Sequence, residues 1–194
     1  MWSSPVRKLF AGVALVGVLA GGSVSAQQST TPTPPPGGDF FDPAVVAATP
    51  IPGVETFEVA SAEHTTEPVD YPRNPPAGGP HAPVWQKCRF YDAPVPNETA
   101  VHSEEHGAVW ITYQPDLPEA DRKALAARTE GQPYLLVSPY PGLDTPIVAS
   151  AWGAQLRLDD VNDPRLAAFI AEYAGNGPEP GANCASGVEE TVGG

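Results

Sequence analysis

Proline decides where this chain can be regular and where it cannot. It supplies 25 of the 194 residues and is accompanied by 19 glycines. Proline has no backbone N–H to give to a helix interior or a central strand. Two stretches are dense in these residues. Residues 27–52 contain Thr-Pro-Thr-Pro-Pro-Pro-Gly-Gly at 31–38 and little from which to build a core; they read as a disordered linker, semi-extended because proline favours polyproline II geometry. Residues 66–97 are just as crowded and are expected to be irregular, with a short strand around Cys88–Tyr91.

Regular elements therefore have to come from elsewhere. Val54–Val59 alternates apolar and polar residues, the pattern of a half-buried strand. Ala108–Tyr113 is the strongest strand signal. A helix is expected to open at Asp116 with Glu119 closing a capping box, and to run to about Arg128 before Gly131. Tyr134–Ser138 reads as a buried strand, and Ile147–Trp152 with Gln155–Leu158 as one strand or a hairpin about Gly153. A last helix starts with Asp163 as its cap and Pro164 in its first turn. Its Leu166, Phe169, Ile170 and Tyr173 share one face, and Gly175 stops it. The expected fold is α+β: a single small domain over residues 53–185, with a mixed or mostly antiparallel sheet, two helices and a loop-rich N-terminal half. Residues 186–194 are expected to be a flexible tail. The β-α-β-β-α run is compatible with a thioredoxin-like layout, although the Cys-x-x-Cys of the redox enzymes is absent.

Residues 1–26 have the three parts of a secretory signal. Arg7 and Lys8 are the only charges before residue 27, Phe10–Ala20 is nearly all apolar, and Val24-Ser25-Ala26 offers small residues for cleavage. The apolar core is about half the roughly 20 residues that a spanning helix needs. Cleavage after Ala26 is therefore expected, with no membrane insertion afterwards and a membrane tether only in uncleaved molecules. Losing Arg7 and Lys8 takes the net charge from −13 to −15. That field repels phosphate backbones and argues against nucleic-acid binding, while favouring cations. In an oxidising compartment Cys88 and Cys184 are most simply a disulfide. Closing a loop of close to 100 residues is worth about 4–5 kcal/mol in the chain-entropy model. A thiolate metal ligand is the alternative reading of these cysteines.

All four histidines, His64, His81, His102 and His106, fall within 43 residues of the loop-rich half. His102 and His106 are four apart in His-Ser-Glu-Glu-His-Gly. If Glu98–His106 forms one or two helical turns, capped by Asn97 and closed by Gly107, the two rings share a face. Two such nitrogens can chelate one ion, with His81 or His64 completing the ligand set. Glu104 or Glu105 would serve as a further ligand or as an acceptor that fixes a tautomer. The expected ion is copper or zinc, bound by His81, His102 and His106 with His64 or Glu105. Copper bound through thioether is disfavoured, because the only methionine is Met1. In the competing reading the histidines are polar packing residues in a non-catalytic module that binds another extracytoplasmic protein. His102–His106 also matches the His-x-x-Glu-His pattern of a peptidase group, with Glu105 as base. That pattern belongs on a long helix, whereas a strand starts here almost at once, so catalysis is not expected.

The segments Pro-Val-Asp-Tyr (68–71), Pro-Pro-Ala-Gly-Gly-Pro-His (75–81) and Val-His-Ser-Glu-Glu-His-Gly (101–107) resemble those of the domain of unknown function 3105 family. Its members are exported and membrane-anchored prokaryotic proteins. Pro-Tyr-Pro (139–141) and Ala-Trp-Gly (151–153) extend the resemblance over roughly residues 54–180. It carries His81, His102, Glu105, His106 and Gly107 as the motif positions. The family commonly has Leu where this chain has Glu104, which favours Glu105 as the functional carboxylate. The resemblance implies no established activity.

Overall fold

The structure, a computed structural model, describes residues 50–179 and 181–193. The expected signal segment and residues 27–49 of the expected linker lie outside the described residues. In chain order the elements are β1 (Val54–Thr56), α1 (Asn97–Glu105), β2 (Val109–Tyr113), α2 (Glu119–Arg128), β3 (Leu135–Pro139), β4 (Ile147–Ala151), β5 (Ala154–Leu158) and α3 (Pro164–Tyr173). The strands form one mixed sheet in the order β1-β5-β4-β2-β3. β2 and β3, joined through α2, are parallel; every other pair is antiparallel. This is the expected α+β fold.

The sheet is covered on both faces, which is why β2, β3 and β4 are buried at every position. Side chains alternate across a strand. Val109, Ile111 and Tyr113 of β2 turn to the face that packs against Leu125 of α2 and Leu166 and Phe169 of α3. Trp110 belongs to the second core, with Leu136, Ala100 of α1 and the two cysteines. The polar groups this burial traps are satisfied: Trp110 Nε1 donates to Ser138 Oγ at 3.0 Å and Thr112 Oγ1 to the Val148 carbonyl at 3.1 Å. α1 therefore rests on one face of a rigid sheet, with α2 and α3 on the other.

Several elements differ from expectation. β1 stops at Thr56, because its partner β5 runs out at the Trp152–Gly153 turn; the Phe57 amide bonds the Gly153 carbonyl there, and no strand remains to pair with Val59. α2 starts at Glu119, not Asp116. Leu117 precedes Pro118 and is pushed away from helical geometry; instead the Leu117 amide closes a turn onto the Gln114 carbonyl, and no side chain caps the helix. α3 follows expectation, with the Asp163 carboxylate accepting from the Arg165 amide. α1 makes a third helix. Around Cys88–Tyr91 the chain forms only a bridge, Phe90 to Val137.

The C-terminal segment, expected to be flexible, lies along residues 85–94. Val188 bridges Gln86, Glu189 pairs with Lys87 and Arg89, and the Val192 amide bonds the Pro94 carbonyl. Cys88 and Cys184 are joined in a disulfide with a Cα–Cα distance of 5.0 Å across 96 positions, so neither is a thiolate ligand. No described helix is long and apolar enough to cross a membrane. Replacing Cys184→Ser in the oxidised protein is expected to cost about 2–5 kcal/mol in urea denaturation. A loss below about 1 kcal/mol would show that hydrogen bonding, not the crosslink, holds the segment.

Candidate functional site

The four histidines converge although they arrive on three separate segments. α1 supplies two. Its four-residue spacing places the His102 and His106 rings edge to face with centroids 4.6 Å apart. The helix begins with Asn97 inside it and Pro96 as the flanking residue, so Asn97 is not the cap, and no side chain serves as one. Gly107 follows the helix at φ +91°, and a Cβ there would stand 2.9 Å from the Gly175 backbone. Only glycine meets both conditions.

His81 comes from the Pro-Pro-Ala-Gly-Gly-Pro turn. Gly78 and Gly79 have φ of +112° and +128°, and that path brings the Gly79 carbonyl 2.8 Å from His81 Nδ1. A bridge pairs His81 with His64, the Thr65 amide donating to the His81 carbonyl and the His81 amide to that of Glu63. His64 stacks on His102 with centroids 4.9 Å apart. His81, His102 and His106 are buried, whereas the His64 side chain is 52% exposed. The cluster thus has a closed inner end and one side open to solvent.

The hydrogen bonds settle two tautomers. A carbonyl can only accept, so His81 Nδ1 carries a proton toward Gly79, and His102 Nδ1 carries one toward the Ala82 carbonyl at 2.6 Å. Each ring, when neutral, presents a lone pair at Nε2. His102 Nε2 lies 3.0 Å from His106 Nε2, which in turn lies 3.1 Å from Glu179 Oε2. His81 Nε2 lies 3.1 Å from Glu105 Oε2, but off the direction a hydrogen bond requires, so it has no hydrogen-bond partner. His106 Nδ1 is likewise buried without one. Burial holds the His102 imidazole down at about 4, and the neighbouring His106, His81 and His64 add to the shift against the opposing Ala82 hydrogen bond. The His102 imidazole is therefore neutral at ordinary pH.

Among the described residues two groups of donors could each hold a metal ion: His64, His81, His102 and Glu105, and His102, His106 and Glu179. All five residues singled out from the sequence are brought together. Glu104 is not among them. It is fully buried, neither oxygen has a hydrogen-bond partner, and burial pushes its carboxyl well above the usual range; the Gly78 amide opposes this without making a hydrogen bond of good geometry. Sequence reasoning missed Glu179, which lies among Gly and Pro with no local pattern. It arrives because the Gly175 amide bonds the Gly107 carbonyl and the Glu179 amide that of Glu105. It also missed two indoles: Trp85 lies 4.7 Å from the His106 ring and Trp152 5.8 Å from that of His81, between centroids.

A buried carboxyl of raised pKa adds stability that is fully present below its ordinary value of 4.5 and is lost as pH rises through the folded value. Glu104→Gln keeps the shape and removes the charge. It is expected to gain on the wild type as pH rises, by about 1 kcal/mol or more at pH 8 relative to pH 4.5, read by chemical denaturation. Parallel pH dependences in the two proteins would contradict this account of Glu104.

A family model described as "Protein of unknown function (DUF3105)" matches residues 63–186, more than half of the chain and all four histidines. No curated protein and no solved structure matches it.

Proposed function

The chain belongs to this family of unknown function, and from the geometry of its imidazole cluster we propose that the domain is an extracytoplasmic binder of a divalent transition metal, copper or zinc. The observation that carries the reading is the pair of Nδ1-to-carbonyl hydrogen bonds at His81 and His102. Metal-ligating histidines are held in this way, with the far nitrogen bonded to a backbone carbonyl or carboxylate so that the near one keeps its lone pair. The 3.0 Å between His102 Nε2 and His106 Nε2 is close to the roughly 3.3 Å that separates two donors of one tetrahedral ion with 2.0–2.1 Å bonds.

Each residue then has a part. His81, His102 and His106 are the inner nitrogen ligands; His64 closes the solvent side; Glu105 supplies an anionic oxygen beside His81. The cluster sits on the last turn of α1, where the helix dipole favours positive charge. With both cysteines in the disulfide, the donors are nitrogen and oxygen only. That set suits Zn²⁺ and Cu²⁺ and disfavours Cu⁺, which seeks sulfur. Work outside the cytoplasm is supported by the signal pattern of residues 1–26 and by a disulfide that a reducing compartment would not maintain.

Protein purified without a polyhistidine tag is expected to bind Cu²⁺ or Zn²⁺ stoichiometrically by calorimetry. Cu²⁺ is expected to quench fluorescence from the flanking Trp85 and Trp152. His102→Ala is expected to weaken binding by more than the roughly 10–100-fold typical of losing an outer partner of a ligand. A folded wild type with no metal uptake and no thermal shift would sink the proposal and leave a binding module for another extracytoplasmic protein, its histidines bracing the loops.

A further inference from the structure

We propose that the cluster holds two adjacent divalent ions, and that Glu179 completes the second position. This rests on the metal-binding reading above and extends it from one ion to two.

The first argument is reach. With bonds near 2.0–2.1 Å, donors to one ion can be no more than about 4.2 Å apart. The six donors, four imidazoles and two carboxylates, do not all lie within 4.8 Å of one another; they fall into two sets that share only His102. One ion cannot take all six.

The second argument is the lone-pair count. His102 Nδ1 is engaged by the Ala82 carbonyl, so His102 has a single nitrogen to give. That nitrogen is in hydrogen-bond contact with His106 Nε2 at 3.0 Å, which lies 3.1 Å from Glu179 Oε2. Assigning His102 to that set leaves His64, His81 and Glu105, with Glu105 Oε2 at 3.1 Å from His81 Nε2 and 4.0 Å from His64 Nε2. Each position then has two imidazoles and one carboxylate, the three protein ligands of an open site, with room for a water or small anion. In the first set the donor itself is left unsatisfied by the protein: His81 Nε2 is buried without a hydrogen-bond partner, although buried polar atoms are rarely left so.

The chain also holds Glu179 in place. The Glu179 amide donates to the Glu105 carbonyl at 3.2 Å, linking the backbones of the two carboxylate ligands. Gly177 lies against the Glu105 carbonyl and the Gly107 amide so closely that any Cβ would collide with both. The strap therefore seats only with glycine at 177, two residues from the ligand it delivers.

Zn²⁺ uptake by the full chain lacking residues 1–26, measured by equilibrium dialysis and elemental analysis, tests this. Two ions per wild-type chain are expected, falling to one in Glu179→Gln and to one in His64→Ala. Both side chains are more than half exposed, so their loss leaves the cores intact; circular dichroism checks that. Gly177→Ala removes no ligand and is also expected to retain one ion. One ion per wild-type chain, two retained in Glu179→Gln, or loss of both in either single-ligand variant would overturn the two-position inference while metal binding stands. No uptake by the wild type would remove both.

Discussion

Gln86 engages its backbone N–H, its backbone carbonyl and both ends of its amide, and the loop-rich half of the domain is assembled around those bonds. Its amide N–H donates to the Thr99 carbonyl and its carbonyl accepts from Ser103 Oγ. Its side-chain oxygen accepts from Thr99 Oγ1, and its side-chain nitrogen donates to the Glu190 carbonyl. One fully buried residue thus ties a proline-rich loop, α1 and the C-terminal segment together. Buried backbone groups have to find partners. A segment without long strands or helices meets that requirement through scattered backbone pairs and through side chains of this kind, which fasten it to α1.

With α1 fixed on the sheet, the cluster inherits rigidity from an unlikely source. Two of its rings are aimed by backbone carbonyls, and those carbonyls are aimed by Gly78, Gly79 and the residues after His81. Proline and glycine act together here: proline limits the conformations open to the turn, and glycine takes the positive-φ positions that no other residue would tolerate cheaply. The same arrangement has a cost elsewhere. The turn of α1 that presents His102 and Glu105 also buries Glu104 with no hydrogen-bond partner, a trade of stability against site geometry of the sort natural proteins often carry.

What could be read from the residues followed the range over which each signal acts. β2, β3 and the β4–β5 hairpin were legible because apolar runs bounded by Gly and Pro are local. So was α3, whose cap, first-turn proline and apolar face all agree. β1 was read too long because its end is set by β5, about a hundred residues away. The start of α2 was misplaced because a capping pattern at Asp116 competes with Pro118 two positions later, and the turn prevailed. At the site, His102, Glu105 and His106 were legible through helical spacing, and His81 through its glycine-rich turn. Glu179 was not, since the only thing that marks it is the backbone of Gly107 and Glu105 waiting for it.

The disulfide has a consequence for timing. Ribosomes deliver the chain from its N-terminus, so all four histidines emerge some seventy residues before Glu179 and still earlier than Cys184. The strap that carries Glu179 is the stretch just ahead of Cys184, and the crosslink anchors it at Cys88. A newly made chain therefore owns its imidazoles well before it owns the wall that encloses them. In the finished domain that late stretch is held from both sides, by the crosslink to Cys88 after it and by its own backbone bonds to Gly107 and Glu105.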